Sequence, residues 1–155
     1  MLKFDEETTK LLEIAYQGGD VTWRRRKAFD ALHLSEGDTV VDIGCGNGLL
    51  TEQIARAVGN TGKVIGVDPS EDMRIPASAR CDAFPNVNIK DGLANKLPLQ
   101  DSEADKAVAV QVLEYLPDIP SAMREAHRVL RVGGRFVAVD TGCKTLDWFS
   151  EDQDR

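Results

Sequence analysis

The chain has 155 residues, too few for two independent cores, so one domain is expected. Hydrophobic residues make up 42% and charged residues 29%, a globular balance that excludes disordered, collagen-like and membrane-spanning classes. The formal net charge of −7 disfavours a phosphate backbone as partner, and the acidic start Asp5-Glu6-Glu7 does not match a secretory signal, so neither nucleic-acid binding nor membrane insertion is expected and the location is expected to be cytoplasmic.

Residues 1–34 read as an N-terminal cap of two short helices. Leu11, Leu12, Ala15 and Tyr16 form one stripe and Ala28, Phe29 and Leu32 the next, with Gln17-Gly18-Gly19-Asp20 as the break between them. Within the second helix the run Arg24-Arg25-Arg26-Lys27 reads as a solvated face. From residue 35 the pattern changes to short apolar runs alternating with amphipathic segments. Thr39 to Ile43 is the first strand, followed by a glycine turn and a helix carrying Leu50, Ile54, Ala57 and Val58. Lys63 to Asp68 is the second strand, and Ser70 suits the N-cap of a helix that Pro76 should kink or break. A weak third strand is expected at Val87 to Lys90 and a fourth at Ala107 to Val112, the latter closed by Gln111. A helix with Ile119, Met123, Ala126 and Leu130, the turn Gly133-Gly134 and a fifth strand over Arg135 to Val139 complete the unit. Strand runs that are apolar on both faces and alternate with helices argue a doubly wound, mostly parallel Rossmann-like α/β sheet with helices on both sides. The main unit is set at 35–141, and 142–155 form a polar tail.

The most informative stretch is Asp42-Ile43-Gly44-Cys45-Gly46-Asn47-Gly48, where the first strand meets the first following helix and glycines let a ligand approach the backbone. Asp68 ends the second strand 20 residues after Gly48, the spacing at which an acid reaches ribose hydroxyls. A dinucleotide fingerprint starting at Gly44 needs glycine where Leu49 stands, and Asp42 would repel a pyrophosphate. S-adenosylmethionine carries a ribose, an ammonium and a sulfonium but no phosphate, so Asp42 suits it, and its carboxylate can use the N–H groups at the helix start near Gly48.

Five segments in order then resemble the class I S-adenosylmethionine-dependent methyltransferases, in particular the small-molecule branch with the ubiquinone and menaquinone C-methyltransferases. They are Asp42 to Gly48; Gly66-Val67-Asp68-Pro69-Ser70; Leu97-Pro98-Leu99 with Asp101 and Asp105; Val112-Leu113-Glu114-Tyr115; and Arg128-Val129-Leu130 before Gly133-Gly134. The resemblance implies S-adenosyl-L-methionine as cofactor and a small-molecule acceptor. It places Gly44, Gly46 and Gly48 at the methionine end and Asp68 at the ribose, counts Cys45, Asn47 and Pro69 among the cofactor-binding residues, and sets Asp91, Gly92 and Leu93 beside the adenine with Met73, which reads equally as core filling. The family's adenine-side acid falls where Leu93 stands, so either Asp91 substitutes or that contact is missing. Gln111 is implied at the methionine moiety. Glu114 and Tyr115 are the acceptor-side candidates, read against a solvated loop acid and a pocket wall or core aromatic. Neither His33 nor His127 is expected to act, since methyl transfer from a sulfonium needs in-line placement more than a strong base. Cys45, Cys81 and Cys143 follow no zinc-ligand spacing and are expected reduced, with no metal.

Ala104 and Val132 also depart from the family's usual Phe and Pro, and with about 15 residues after Val139 the family's final antiparallel strand pair is not expected in this sequence. A fragment, a natural truncation or a homodimer through the exposed fifth-strand edge, with Trp148 and Phe149 in the tail, each account for that. The rival function is a nucleoside-cofactor-binding module without turnover.

Overall fold

Alternation of apolar runs with amphipathic segments produces a five-stranded parallel sheet in a computed structural model, which describes residues 18–140. The strands are β1 (Thr39–Ile43), β2 (Lys63–Val67), β3 (Val87–Lys90), β4 (Ala104–Val110) and β5 (Leu130–Val139), in the order β3-β2-β1-β4-β5. The chain steps outward from β1 to β3, then crosses back to add β4 and β5 on the other side. Such a reversal opens a crevice at the carboxyl ends of the two central strands.

Among the described residues four helices, α1 (Gly19–Leu32), α2 (Leu49–Val58), α3 (Glu71–Cys81) and α4 (Ile119–Val129), flank the sheet. The period of two along each strand divides the core. Val40, Val64 and Val108 face Ala28 and Leu32 of α1 and Leu50, Ile54, Ala55 and Val58 of α2. Val41, Ile43, Ile65, Val67, Ala107 and Ala109 face the opposite way, against Ala126 and Val129 of α4 and Leu97 and Leu99 of the loop before β4. A side chain as completely buried as Ile54 contributes about 2–3 kcal/mol. The expected α/β class with helices on both faces is the observed one.

Several local expectations are corrected. Helix α1 already begins at Gly19, so Gly19 and Asp20 belong to the helix rather than to the break; the Thr22 N–H donates to the Gly18 carbonyl at 2.9 Å. Helix α3 runs through Pro76 to Cys81. Proline removes only the hydrogen bond to the Asp72 carbonyl, and Asp72 lies in the exposed first turn, where water serves instead. Strand β4 starts at Ala104 and stops at Val110, three and two residues earlier than expected, because Ala104 pairs with Leu130 and Gln111 adopts φ 55°. The core stripe of α4 is Ala122, Ala126 and Val129, whereas Ile119 and Met123 are 42% and 41% exposed. Leu130 belongs to β5, and Gly133-Gly134 forms a bulge inside that strand, where pairing jumps from Leu130 to Arg135. The earlier of the two expected N-terminal helices, Cys143, Trp148, Phe149 and the tail lie outside the described residues.

Candidate functional site

Beyond Ile43 the chain turns at once. The Gly44 and Cys45 N–H groups both donate to the Val67 carbonyl, at 2.7 and 3.0 Å, tying this turn to the end of β2. Gly44 has φ 69°, and a β carbon there would run into the Val112 side chain from the loop after β4. Gly48, at φ 81°, is the N-cap of α2, and its β carbon would stand 3.0 Å from Ala77 Cα. Only glycine combines this backbone with these approaches.

Two carboxylates organise the turn. Asp68 accepts the Gly46 N–H at Oδ2 and the Ser70 N–H at Oδ1, both at 2.9 Å. Asp42 is buried, and the Thr51 hydroxyl of α2 donates to its Oδ2 at 2.7 Å. Burial pushes the Asp42 carboxyl up to about 6, opposed by the Thr51 hydrogen bond and reinforced by the charge of Asp68. Burial also raises Asp68, against the pull of its two N–H bonds and of Arg74. The Cys45 thiol is driven far above its ordinary range by burial, then by Asp42 and Asp68, so it stays protonated and is no nucleophile. Cys45 and Cys81 are both free thiols.

These groups open onto a cavity of about 800 Å³ across the carboxyl ends of the strands, within the size range of ligand sites. Asp42, Gly44, Cys45, Gly46 and Asn47 line it from the first turn, and Asp68, Pro69 and Met73 from the second. Gly92 and Leu93 close the β3 side, and Gln111 and Tyr115 the β4 side. Met73 is both things the sequence allowed, 4% exposed and part of the wall. Gly48 stands behind the wall as the helix cap. Asp91 does not line this cavity: its exposed carboxylate pairs with Arg74 Nη1 at 3.0 Å and lines an adjoining depression that shares Pro69, Gly92 and Leu93 with it. Leu93 therefore faces the cavity with Asp91 turned away from it.

On the far side, Gln111 holds a left-handed backbone, unusual for a residue with a side chain, while its N–H donates to the Val139 carbonyl at 2.7 Å. Such a conformation costs of order 1 kcal/mol and persists where surrounding structure imposes it. Leu113–Tyr115 form one turn of 3-10 helix. Asp140 Oδ1 accepts the N–H groups of Val112 at 2.9 Å and Glu114 at 3.4 Å and so holds this turn. Glu114 is exposed and does not line the cavity, whereas Tyr115, 68% exposed, stands at its mouth. Burial first, then the charge and hydrogen bond of Glu114 and the charge of Asp140, raise the Tyr115 phenol above its ordinary value, so it is a proton donor rather than a base at neutral pH.

Sequence reasoning missed Arg25, Asn95, Asp118 and Asp140. Asp118 was legible: it begins an Asp-x-x-Ser capping pattern, with the Ser121 N–H on its Oδ1 at 3.0 Å. Arg25 is a correction. It lines the cavity rather than only a solvated face, because α1 lies across the β4 and β5 end of the sheet.

A family model described as a methyltransferase domain matches residues 41–138. The chain belongs to this methyltransferase domain family. The domain is 33% identical over 130 residues to a demethylmenaquinone methyltransferase of Staphylococcus saprophyticus, covering 84% of the chain and 55% of that protein. It is also 41% identical over 108 residues to an uncharacterised 37.1 kDa protein of a Streptomyces fradiae transposon, covering 70% of the chain and 31% of that protein. Among solved structures, a SAM-dependent methyltransferase from Aquifex aeolicus superposes with TM-score 0.70 and 27% identity, over 83% of this chain and 69% of that one. The chain thus spans about half or less of the length of the two curated relatives. No helix among the described residues is long and apolar enough to cross a membrane.

Proposed function

We propose that this methyltransferase domain binds S-adenosylmethionine in the cavity across β2, β1 and β4 and directs its methyl group to a small-molecule acceptor entering beside Tyr115. The observation that carries the reading is Asp68. Its carboxylate already accepts one N–H at each oxygen, is 8% exposed, lines the cavity, and keeps lone pairs available for the two hydroxyls of a ribose. Asp42, buried on the same wall, suits an ammonium. The apolar contacts Met73 and Leu93 suit a base. When bound, the cofactor supplies an electrophilic methyl on its sulfonium. The work left to the protein is to hold both partners in line and exclude water. The likeness to a demethylmenaquinone methyltransferase supports a quinol or related aromatic acceptor.

Calorimetry with S-adenosylhomocysteine tests the cofactor half of this reading. Saturable binding is expected, and its absence at millimolar concentration with a folded protein removes the reading. Methyl transfer from labelled cofactor to quinol, phenol, amine or thiol acceptors tests the other half. Binding without transfer to any of them favours the module without turnover. The outer edge of β5 pairs with no strand among the described residues, which supports association through that edge, and light scattering across a concentration series checks it.

A further inference from the structure

We propose that the outer face of α1, built from Trp23, Arg26 and Lys27, is a docking surface for an anionic lipid bilayer, beside the mouth through which an apolar acceptor enters. The bilayer contact is independent of the cofactor reading; only its link to acceptor entry rests on that reading.

Trp23, Arg26 and Lys27 stand at i, i+3 and i+4, neighbours on one side of the helix, while the fully buried Ala28 and Leu32 hold the other side to the sheet. Trp23 is 59% exposed, Arg26 and Lys27 are exposed, and Lys27 Nζ lies 5.8 Å from the centre of the Trp23 ring, so aromatic and cation form one patch. The exposed Arg135 of β5 adds a cation at the end of the helix, where its Nη1 donates to the Ala31 carbonyl at 3.4 Å. Asp30 follows one turn after Arg26 and Lys27 and offsets one of these charges. On a chain of net charge −7, a cationic patch turns this side toward an anionic partner and the rest away from it, so it orients as well as attracts.

Three observations favour a bilayer as that partner. An exposed tryptophan beside cations suits the headgroup layer, where the ring meets the apolar boundary and the charges meet phosphates. α1 reaches the cavity at Val21, two residues before Trp23, and the exposed Tyr115 and Asp118 line the same cavity, with the half-exposed Ile119 next in the chain. The wall on this side is Val21, Leu49, Val112, Leu116 and Pro117, and an acceptor matched to so apolar a wall partitions into lipid rather than water. Docking through α1 brings the mouth beside the phase that holds such a molecule. A nucleic-acid backbone is served less well, because its affinity grows with the number of phosphates neutralised and this face offers few cations.

Co-sedimentation of the full chain with phosphatidylcholine vesicles, with and without phosphatidylglycerol, tests the surface. Saturable binding to the anionic vesicles is expected, weakening as salt is raised. Arg26→Gln with Lys27→Gln should weaken it by about tenfold to thirtyfold, and Trp23→Ala by about tenfold. Arg124→Gln removes an exposed cation from α4, on the opposite face of the sheet, and should change binding less than about twofold. Fluorescence locates the contact: the blue shift on adding anionic vesicles should persist in Trp148→Phe and vanish in Trp23→Phe. The charge variants keep the test open if a Trp23 variant does not fold. No binding to anionic vesicles at low salt, binding unchanged by Arg26→Gln with Lys27→Gln, an equal loss with Arg124→Gln, or no blue shift from Trp23 overturns the inference. So does binding to single-stranded RNA, lost in Arg26→Gln with Lys27→Gln, without binding to vesicles. Calorimetry with S-adenosylhomocysteine in solution should give the same affinity for these variants and wild type, so failure of docking and failure of the cofactor reading are seen separately.

Discussion

The turn after β1 and the turn after β4 enclose opposite sides of one cavity, yet they are held in different ways. The first is gripped from several directions: two N–H groups on the Val67 carbonyl, Gly46 on Asp68, and Asp42 on Thr51, with Asp42, Asn47 and Asp68 all buried. The second hangs mainly on Gln111 to Val139 and on Asp140, and ends in the exposed residues Glu114 and Tyr115. A region that must receive one invariant ligand can be built rigid in advance, whereas a region that admits an acceptor stays open and is secured at fewer points. The two meet at Gly44 and Val112.

That meeting point gives the largest expected effect. Gly44→Ala places a β carbon against Val112 on a backbone that alanine rarely adopts, and should lower stability by about 3 kcal/mol or more in urea unfolding. If the two turns are coupled there, adding Val112→Ala should recover part of the loss and leave the backbone strain of about 1 kcal/mol. Additive effects would break the comparison.

Asp68→Ala strikes the gripped side. It strips the acceptor from the Gly46 and Ser70 N–H groups and removes the proposed ribose partner, so affinity for S-adenosylhomocysteine should fall about a hundredfold, as read by calorimetry.

Asp42→Asn sharpens the comparison through pH. Burial raises Asp42 to about 6, so its stabilising influence is fully present below the unfolded carboxyl range near 4 and is lost as pH rises through about 6. Wild type should therefore lose about 2 kcal/mol relative to Asp42→Asn between roughly pH 4 and 7 in the unliganded protein. Parallel pH profiles in urea would show that Asp42 titrates normally.

The smallest effect is expected on the open side. Asp140→Ala leaves the Val112 and Glu114 N–H groups without their carboxylate and should cost about 1 kcal/mol. Amide exchange at those two positions should quicken while S-adenosylhomocysteine affinity stays within about twofold. A large loss of affinity would mean that the two turns act as one.

The alternation of Val40-Val41 and Val64-Ile65 with Leu50, Ile54 and Val58 determines the layers, because each strand must bury both faces and each helix one stripe. The glycine turn and Asp68 are equally local, since a positive φ and an acid at a strand end are demands that a few neighbouring residues reveal. Other features arise only when distant segments meet. Asp91 could not be separated from Leu93 by spacing, and it is Arg74, 17 residues away, that draws it out of the cavity. Ile119 and Met123 have the helical period of a core stripe, but the sheet accepts the neighbouring alanines instead. Arg25 sits in a run that looks like any solvated helix face. The packing of α1 over β4 and β5 puts that one member of the run at the cavity, because only the tertiary arrangement decides which side of a helix meets a ligand and which meets water.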